Sequence, residues 1–279
     1  MEQLIVSGLH CIVKLLSKEM PITSLHKLTY MSVNGCGALE VLFDFEGIKV
    51  TNDDAEINML GRLRSLDLYK LPKLVHITRM VPKGISVFQN LNSLSVDDCE
   101  SLRYLFSPSI VNSLVALEDF TILCCKALEE IIGREEDEKE ENTSEKRNIV
   151  MDANAPSNLH HFTQVVSVDA KRNEVIDMPK FPKLRTIRLY DLSSFKSFRS
   201  ETNNDGILQT LFNQVTSKSL QNLEILYVEE CKALEVVFDF ECLTTPEDHA
   251  ESVFGRLRKL DLISLDNLVH IIGTVPEGI

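Results

Sequence analysis

The chain has 279 residues, 44% of them hydrophobic and 25% charged, which gives the balance of a folded protein and room for one solenoid or two ordinary domains. Its 42 Asp and Glu against 29 Lys and Arg leave a net charge of -13, which argues against nucleic acid or an anionic membrane surface as the main partner. No stretch is apolar for long enough to span a bilayer, and without Trp the core must be built mainly from leucine.

The start, MEQLIVSGLHCIVKLL, is a short apolar run with neither a basic leader nor a small-residue cleavage site, so it is a poor signal peptide. From there a template recurs along the chain. A partial copy places apolar residues at Leu4, Val6, Leu9, Ile12 and Leu15, and a second runs from Leu25 to Leu42. A third runs from Leu60 to Ile77, and a fourth from Phe88 through Leu91, Leu94, Val96, Cys99 and Leu102 to Leu105 and Phe106. The fifth runs from Leu114 to Ile131, the sixth from Phe181 to Phe198, the seventh from Leu220 to Val237 and the eighth from Phe254 to Ile271. Apolar steps are mostly of three, with a single step of two. A helix needs mixed steps of three and four and a long strand needs steps of two. The pattern fits a coil around a flat-sided core with one short strand at the L-x-L step.

The residue three after that step is Cys at 36, 99, 125 and 231 and Leu at 9, 71, 192 and 265. The shorter intervals, 36 − 9 = 27, 99 − 71 = 28 and 125 − 99 = 26, fall within the about 20–29 residues of a leucine-rich repeat, and the longer ones carry insertions. Residues 38–48 and 61–85 are echoed by 233–243 and 255–279, so the second and third repeats were copied as a pair. This organisation predicts repeats over 1–132, the first of them partial; an acidic loop insertion over 133–180 with a possible degenerate repeat at 159–168; and repeats over 181–279. The polar run 134–148 reads as a solvated loop. Both ends look abrupt, as expected of a segment cut from a longer array, and an uncapped leucine column predicts poor solubility. The expected fold is an α/β leucine-rich-repeat solenoid, a horseshoe of about eight repeats with a parallel sheet on the concave face and an irregular or short helical convex side.

No catalytic constellation is apparent, so an enzyme is not expected. Seven cysteines, four sharing one repeat position, suit a reducing, cytoplasmic setting better than a disulfide framework. That column lacks the spacing of a zinc site and reads as small buried side chains at the turn leaving each strand. His160-His161 read as surface residues, and the acidic run 135–141 lacks the ligand alternation of a calcium loop. There is no metal or cofactor candidate in this segment.

The strand residues pointing away from the core are the candidates for partner binding. They are Tyr30, Ser32, Asp67, Tyr69, Ser95, Asp97, Thr121, Arg188, Tyr190, Tyr227, Glu229 and Asp261. The same alternation also turns Asn34, Ser65, Ser93, Asp119, Thr186, Ile225 and Lys259 outward. Four of the five tyrosines fall on this face. Tyr suits interfaces because it offers rigid area with a polar tip, although it also packs well in strands.

The form F-x-x-L-x-x-L-x-V-x-x-C-x-x-L-x-x-L-F over Phe88–Phe106 recurs closely over Leu220–Phe238. It alternates with L-x-L-x-x-L-P-x-L-x-x-I over Leu66–Ile77, while CKALEEII at 125–132 runs into an acidic loop. These stretches resemble the leucine-rich repeats of plant coiled-coil, nucleotide-binding disease resistance proteins. The resemblance implies a cytoplasmic role in defence, with the repeats folding back on a nucleotide-binding switch and sensing pathogen effectors or guarded host proteins. ADP or ATP would bind an upstream domain absent here, since no GxxxxGK[ST] loop occurs. The alternative is a cysteine-type leucine-rich substrate adaptor of a ubiquitin ligase, of the F-box kind, whose repeats are more regularly spaced.

Overall fold

In the computed structural model the described residues are 1–16, 25–46, 57–79, 81–82, 85–133, 181–198, 209–212, 220–239 and 255–273. The expected acidic loop at 134–148, the possible degenerate repeat at 159–168 and His160-His161 lie outside them. In chain order the elements are β1 (Gln3–Ser7), β2 (Lys14–Leu16), β3 (Tyr30–Asn34), β4 (Val41–Asp44), β5 (Ile57–Met59), β6 (Ser65–Tyr69), β7 (His76–Arg79), β8 (Ile85–Val87), β9 (Ser93–Asp97) and β10 (Tyr104–Phe106). A single helical turn, α1 (Pro108–Val111), comes next. Then follow β11 (Asp119–Leu123), β12 (Glu130–Ile132), β13 (Thr186–Tyr190), β14 (Thr210–Phe212), β15 (Ile225–Glu229), β16 (Val236–Phe238), β17 (Lys259–Ile263) and β18 (His270–Ile272).

One strand from each repeat enters an eight-stranded sheet in the order β1-β3-β6-β9-β11-β13-β15-β17. All the pairings are parallel and in one register, so Met31, Leu66, Leu94, Phe120, Ile187 and Leu226 form one inward column. Val33, Leu68, Val96, Ile122, Leu189 and Val228 form the next, and every member of both is at most 1% exposed. The L-x-L step found in the sequence is this pair of columns. β13 pairs directly with β11, with Phe120 opposite Ile187, so the sheet runs unbroken across the insertion.

The side opposite the main sheet differs from expectation. Short parallel strands dominate it, in the groups β2-β4-β7, β10-β12 and β14-β16-β18, with β5-β8 beside them. Helix is confined among the described residues to α1, where Pro108 suits the first turn. The reason lies in the residues after each L-x: Val41-Leu42-Phe43, Glu130-Ile131-Ile132 and Val236-Val237-Phe238. All nine are buried, and most are β-branched or aromatic, which favours a covered strand over a helix. Phenylalanines fill the space between the two sides. The Phe198 ring lies 5.6 Å from both Phe181 and Phe212, and Phe212 stacks 5.5 Å from Phe238.

Each repeat leaves its main strand through a left-handed residue. Gly8, Gly35, Lys70, Asp98, Cys124, Asp191, Glu230 and Ser264 all have φ between 51° and 68°. The backbone N–H of this residue donates to the next repeat, as Gly35 does to the Tyr69 carbonyl at 3.0 Å and Asp98 to Leu123 at 3.1 Å. At the other strand end the residue before the strand donates backwards, Asn92 to Arg64 and Glu118 to Asn92, both at 2.8 Å. The Cys side chains sit just past the turn. Cys36, Cys99, Cys125 and Cys231 are at most 1% exposed, and each thiol points to the carbonyl two residues back at 3.3–3.6 Å. Burial pushes the Cys231 thiol up to about 12. These are space-filling thiols with a weak donor, as their repeat position suggests.

Two substitutions test this frame. Leu94→Asp places an unpaired charge between Leu66 and Phe120 and should cost on the order of 3–5 kcal/mol; an unchanged urea midpoint would contradict the register. At Gly35 a Cβ would approach only the Gly8 nitrogen, at 3.9 Å, so there is room and the left-handed φ of 64° alone resists a side chain. Gly35→Val should therefore cost about 1–2 kcal/mol and Gly35→Asn much less, read from the same denaturation curves.

Candidate functional site

Strand alternation divides the outward face of the main sheet into three columns. The first holds Tyr30, Ser65, Ser93, Asp119, Thr186, Ile225 and Lys259. Down the middle run Ser32, Asp67, Ser95, Thr121, Arg188, Tyr227 and Asp261. The third is Asn34, Tyr69, Asp97, Leu123, Tyr190, Glu229 and Ile263. All twelve candidates from the sequence belong to this face. Of the wider outward set, Thr186 is covered, 7% exposed between Asp119 and Ile225, so it offers little to a partner.

The candidates do not gather at one point. Tyr30 and Tyr69 stand on the neighbouring strands β3 and β6, and Tyr190 and Tyr227 on the neighbouring strands β13 and β15. Between these two aromatic poles β9 and β11 present Ser93, Ser95, Asp97, Asp119, Thr121 and Leu123. Adjacent strands are about 4.8 Å apart, so the five strand steps from β3 to β15 span roughly 24 Å. The first pole is pinned: the Tyr30 hydroxyl donates to Asp67 at 2.8 Å, and the Tyr69 hydroxyl reaches the Ser95 hydroxyl at 3.5 Å. The Asp67 hydrogen bond, with burial, raises the Tyr30 phenol above its ordinary value. At the second pole the Tyr227 hydroxyl bonds Glu229, and Arg188 lies between Thr121 and Tyr227 in the middle column. Asp261 pairs with Lys259 at 2.7 Å.

The two rims of the face differ in charge. Before the strands of the last four repeats, Glu118, Arg185, Glu224 and Arg258 alternate in charge. Arg185 bonds Glu224 at 2.8 Å, Arg258 approaches Glu224 at 3.9 Å, and Asn92 reaches Glu118 at 3.4 Å. Past the strands, the left-handed turns carry Asp98, Asp191 and Glu230 beside Asp97 and Glu229. Burial raises the Asp97 carboxyl, and Asp98 adds to the shift while Lys70 opposes it. Glu230 first, then burial and Glu229, raise the Tyr190 phenol. Cys124, half-buried in the same rim, is raised by burial and then by Asp97 and Asp191. Sequence reasoning stopped at the strand and missed these turn residues. The available signal was Gly8 and Gly35, which mark the position in the first two repeats.

Elsewhere, polar contacts serve the scaffold. Lys14 bonds Asp44 at 2.6 Å, and Glu129 takes both Arg103 at 3.1 Å and Lys196 at 2.7 Å. Among the described residues no three His, Cys, Asp or Glu side chains converge as a metal site requires, and no helix is long and apolar enough to cross a membrane.

Comparison with known families gives a match. A family model described as plant disease resistance protein RPS2-like, leucine-rich repeats, matches residues 1–126 and 201–279. Those spans contain every candidate residue except Arg188 and Tyr190, which stand on β13. No curated protein matches, and no solved structure does.

Two carboxylates on this scaffold should respond oppositely to mutation and pH. Burial tends to raise Asp44, but the Lys14 and Glu46 hydrogen bonds and the Lys14 and Arg79 charges outweigh it, so its carboxyl is held below the ordinary range. Its stabilising contribution is present at neutral pH and is lost as pH falls below about 4 through the folded-state value. Asp97 is shifted the other way, so it opposes folding above its folded-state value and is relieved as pH falls through that value. At pH 7, Asp44→Asn should lower the urea midpoint, with the effect fading in acid. Asp97→Asn should leave the midpoint unchanged or raise it. A clear drop for Asp97→Asn would show that this carboxylate has a favourable partner.

Proposed function

The chain belongs to the leucine-rich-repeat family of RPS2-like plant disease resistance proteins, and we propose that it is the protein-recognition module of an intracellular plant immune receptor. In this reading the outward sheet face engages a pathogen effector, a host protein altered by one, or the receptor's own nucleotide-binding domain in an autoinhibited state. ADP or ATP would be bound by that separate domain. The observation that carries the reading is the open sheet face with its two tyrosine pairs, one pinned by hydrogen bonds and one set among charges. Large rigid side chains with polar tips, held on a scaffold whose own apolar groups are buried beneath, are the elements of a protein-binding surface.

The pairs are separable. A partner spanning both would cover roughly 24 Å, within the reach of a standard protein interface of about 800 Å² per side. The hydroxyls of Tyr30, Tyr69 and Tyr227 already bond Asp67, Ser95 and Glu229, so Tyr190 keeps its polar tip for a partner and Tyr227 offers chiefly its ring.

The test is made in a receptor carrying this array. Tyr190→Ala and Tyr227→Ala should each weaken a bound partner on the order of tenfold or more, or release a constitutive defence response if the face restrains the switch. Ser93→Ala, on β9 between the poles, should do neither. If the tyrosine variants keep both full binding and full restraint, recognition does not use this face.

A further inference from the structure

Carboxylates on this scaffold are treated in two ways. On the rim before the strands Glu224 is matched by Arg185 and Arg258. Elsewhere Glu129 is matched by Arg103 and Lys196, and Asp44 by Lys14. The rim past the strands lacks this matching. Asp98, Asp191 and Glu230 are half-buried there, and among the described residues their carboxylates carry neither a hydrogen bond nor an ion pair. The backbone ladder holds them in line: the Asp98 N–H donates to Leu123, that of Cys124 to Tyr190, that of Asp191 to Glu229 and that of Glu230 to Ile263. Three strand steps separate Asp98 from Glu230, roughly 14 Å. Like charges on neighbouring strands repel, so this row opposes folding rather than supporting it.

An aromatic ring stands in the same strip. Tyr190 lies in the third column between Leu123 and Glu229, and its hydroxyl is unbonded among the described residues. Glu230 first, then burial and Glu229, raise its phenol, which sets those carboxylates close to the ring. A ring face beside carboxylates suits a guanidinium or ammonium, which ion-pairs with the acids and lies over the negative face of the ring.

We propose that the outward face docks its partner along this strip, from Asp98 past Tyr190 to Glu230, through a basic segment of a different protein that lays Arg or Lys side chains on the rim. The proposal rests on the reading of the sheet face as a recognition surface and names the chemistry of what it takes. An extended segment of about four residues covers the strip. Arg suits the Tyr190 position better than Lys, since a planar guanidinium stacks on the ring. Lys70 takes the same turn position on the β6 repeat and Ser264 on the β17 repeat, so the acidic strip is bounded at both ends. Arg188 faces the same side but stands one column further in, about 7 Å from Tyr190 along β13, so the segment follows the rim instead of crossing the sheet. A second copy is a poor occupant, because each chain carries a net charge of -13.

Calorimetric titration of the 279-residue chain with a capped tetra-arginine peptide at low salt tests this. The parent chain should bind the peptide. Asp98→Asn/Asp191→Asn/Glu230→Gln should weaken binding roughly tenfold or more, and Tyr190→Leu roughly two- to fivefold. Glu2→Gln/Glu40→Gln/Glu46→Gln removes the same charge from exposed positions off the strip and should change the affinity less than about twofold. An unchanged urea midpoint would verify that each variant folds. Equal losses in the two triple variants would overturn the proposal, as would no binding by the parent chain, or a tetra-glutamate peptide that binds as well. Self-association of the parent chain that the rim variant abolishes would make a second copy the occupant and overturn it too. None of these outcomes touches the Tyr190→Ala and Tyr227→Ala result in a receptor, so a failed basic segment and an unused sheet face are told apart.

Discussion

The structure depends on a backbone ladder between repeats that none of them can satisfy alone. A five-residue strand such as Ser93–Asp97 buries Leu94 and Val96 only because β6 and β11 supply matching leucine-type residues on either side. The ladder reaches past the strand at both ends, through the residue before it and the left-handed residue after it, so each repeat is tied to its neighbours by more backbone bonds than a five-residue strand would suggest. Stability in such an array is a sum of nearest-neighbour terms. Weakening one repeat therefore exposes two others.

Much of this was legible in the sequence because the inward columns admit only apolar side chains. The L-x-L step, the Cys/Leu mark and the direct copying of 61–85 into 255–279 fixed the repeat boundaries and the outward residues, and the sheet bears out the register in every described repeat. The return side was less legible. Three buried residues in a row, as in Val236-Val237-Phe238, have no periodicity to report, so a short covered strand and a turn of helix look alike. Turn torsions were hidden for a different reason. Lys70 and Glu230 adopt the same left-handed φ as Gly35, and nothing in their chemistry announces it.

Charge on the outward face follows from that same turn. Because the left-handed residue projects beyond the strand end, its side chain needs no packing partner and can be Lys, Asp, Cys, Glu or Ser. Carboxylates gather on this rim, where burial and then Asp98 raise the Asp97 carboxyl, while the opposite rim pairs its charges across repeats. The two tyrosine pairs lie between these rims. A partner approaching the sheet meets a neutralised edge on one side and an acidic edge on the other.

The copied pair of repeats also records how such a surface can change over time. In passing from Ser65–Tyr69 to Lys259–Ile263, the inward Leu66 and Leu68 reappear as Leu260 and Leu262, and outward Asp67 reappears as Asp261. Ser65 has become Lys259 and Tyr69 has become Ile263. The strand kept its fold while two of its three solvent-facing letters were rewritten, one gaining a charge and the other losing its hydroxyl. The packing residues and the outward residues thus alternate along the same five-residue word, so gene duplication can supply a new outward surface without first solving a new folding problem.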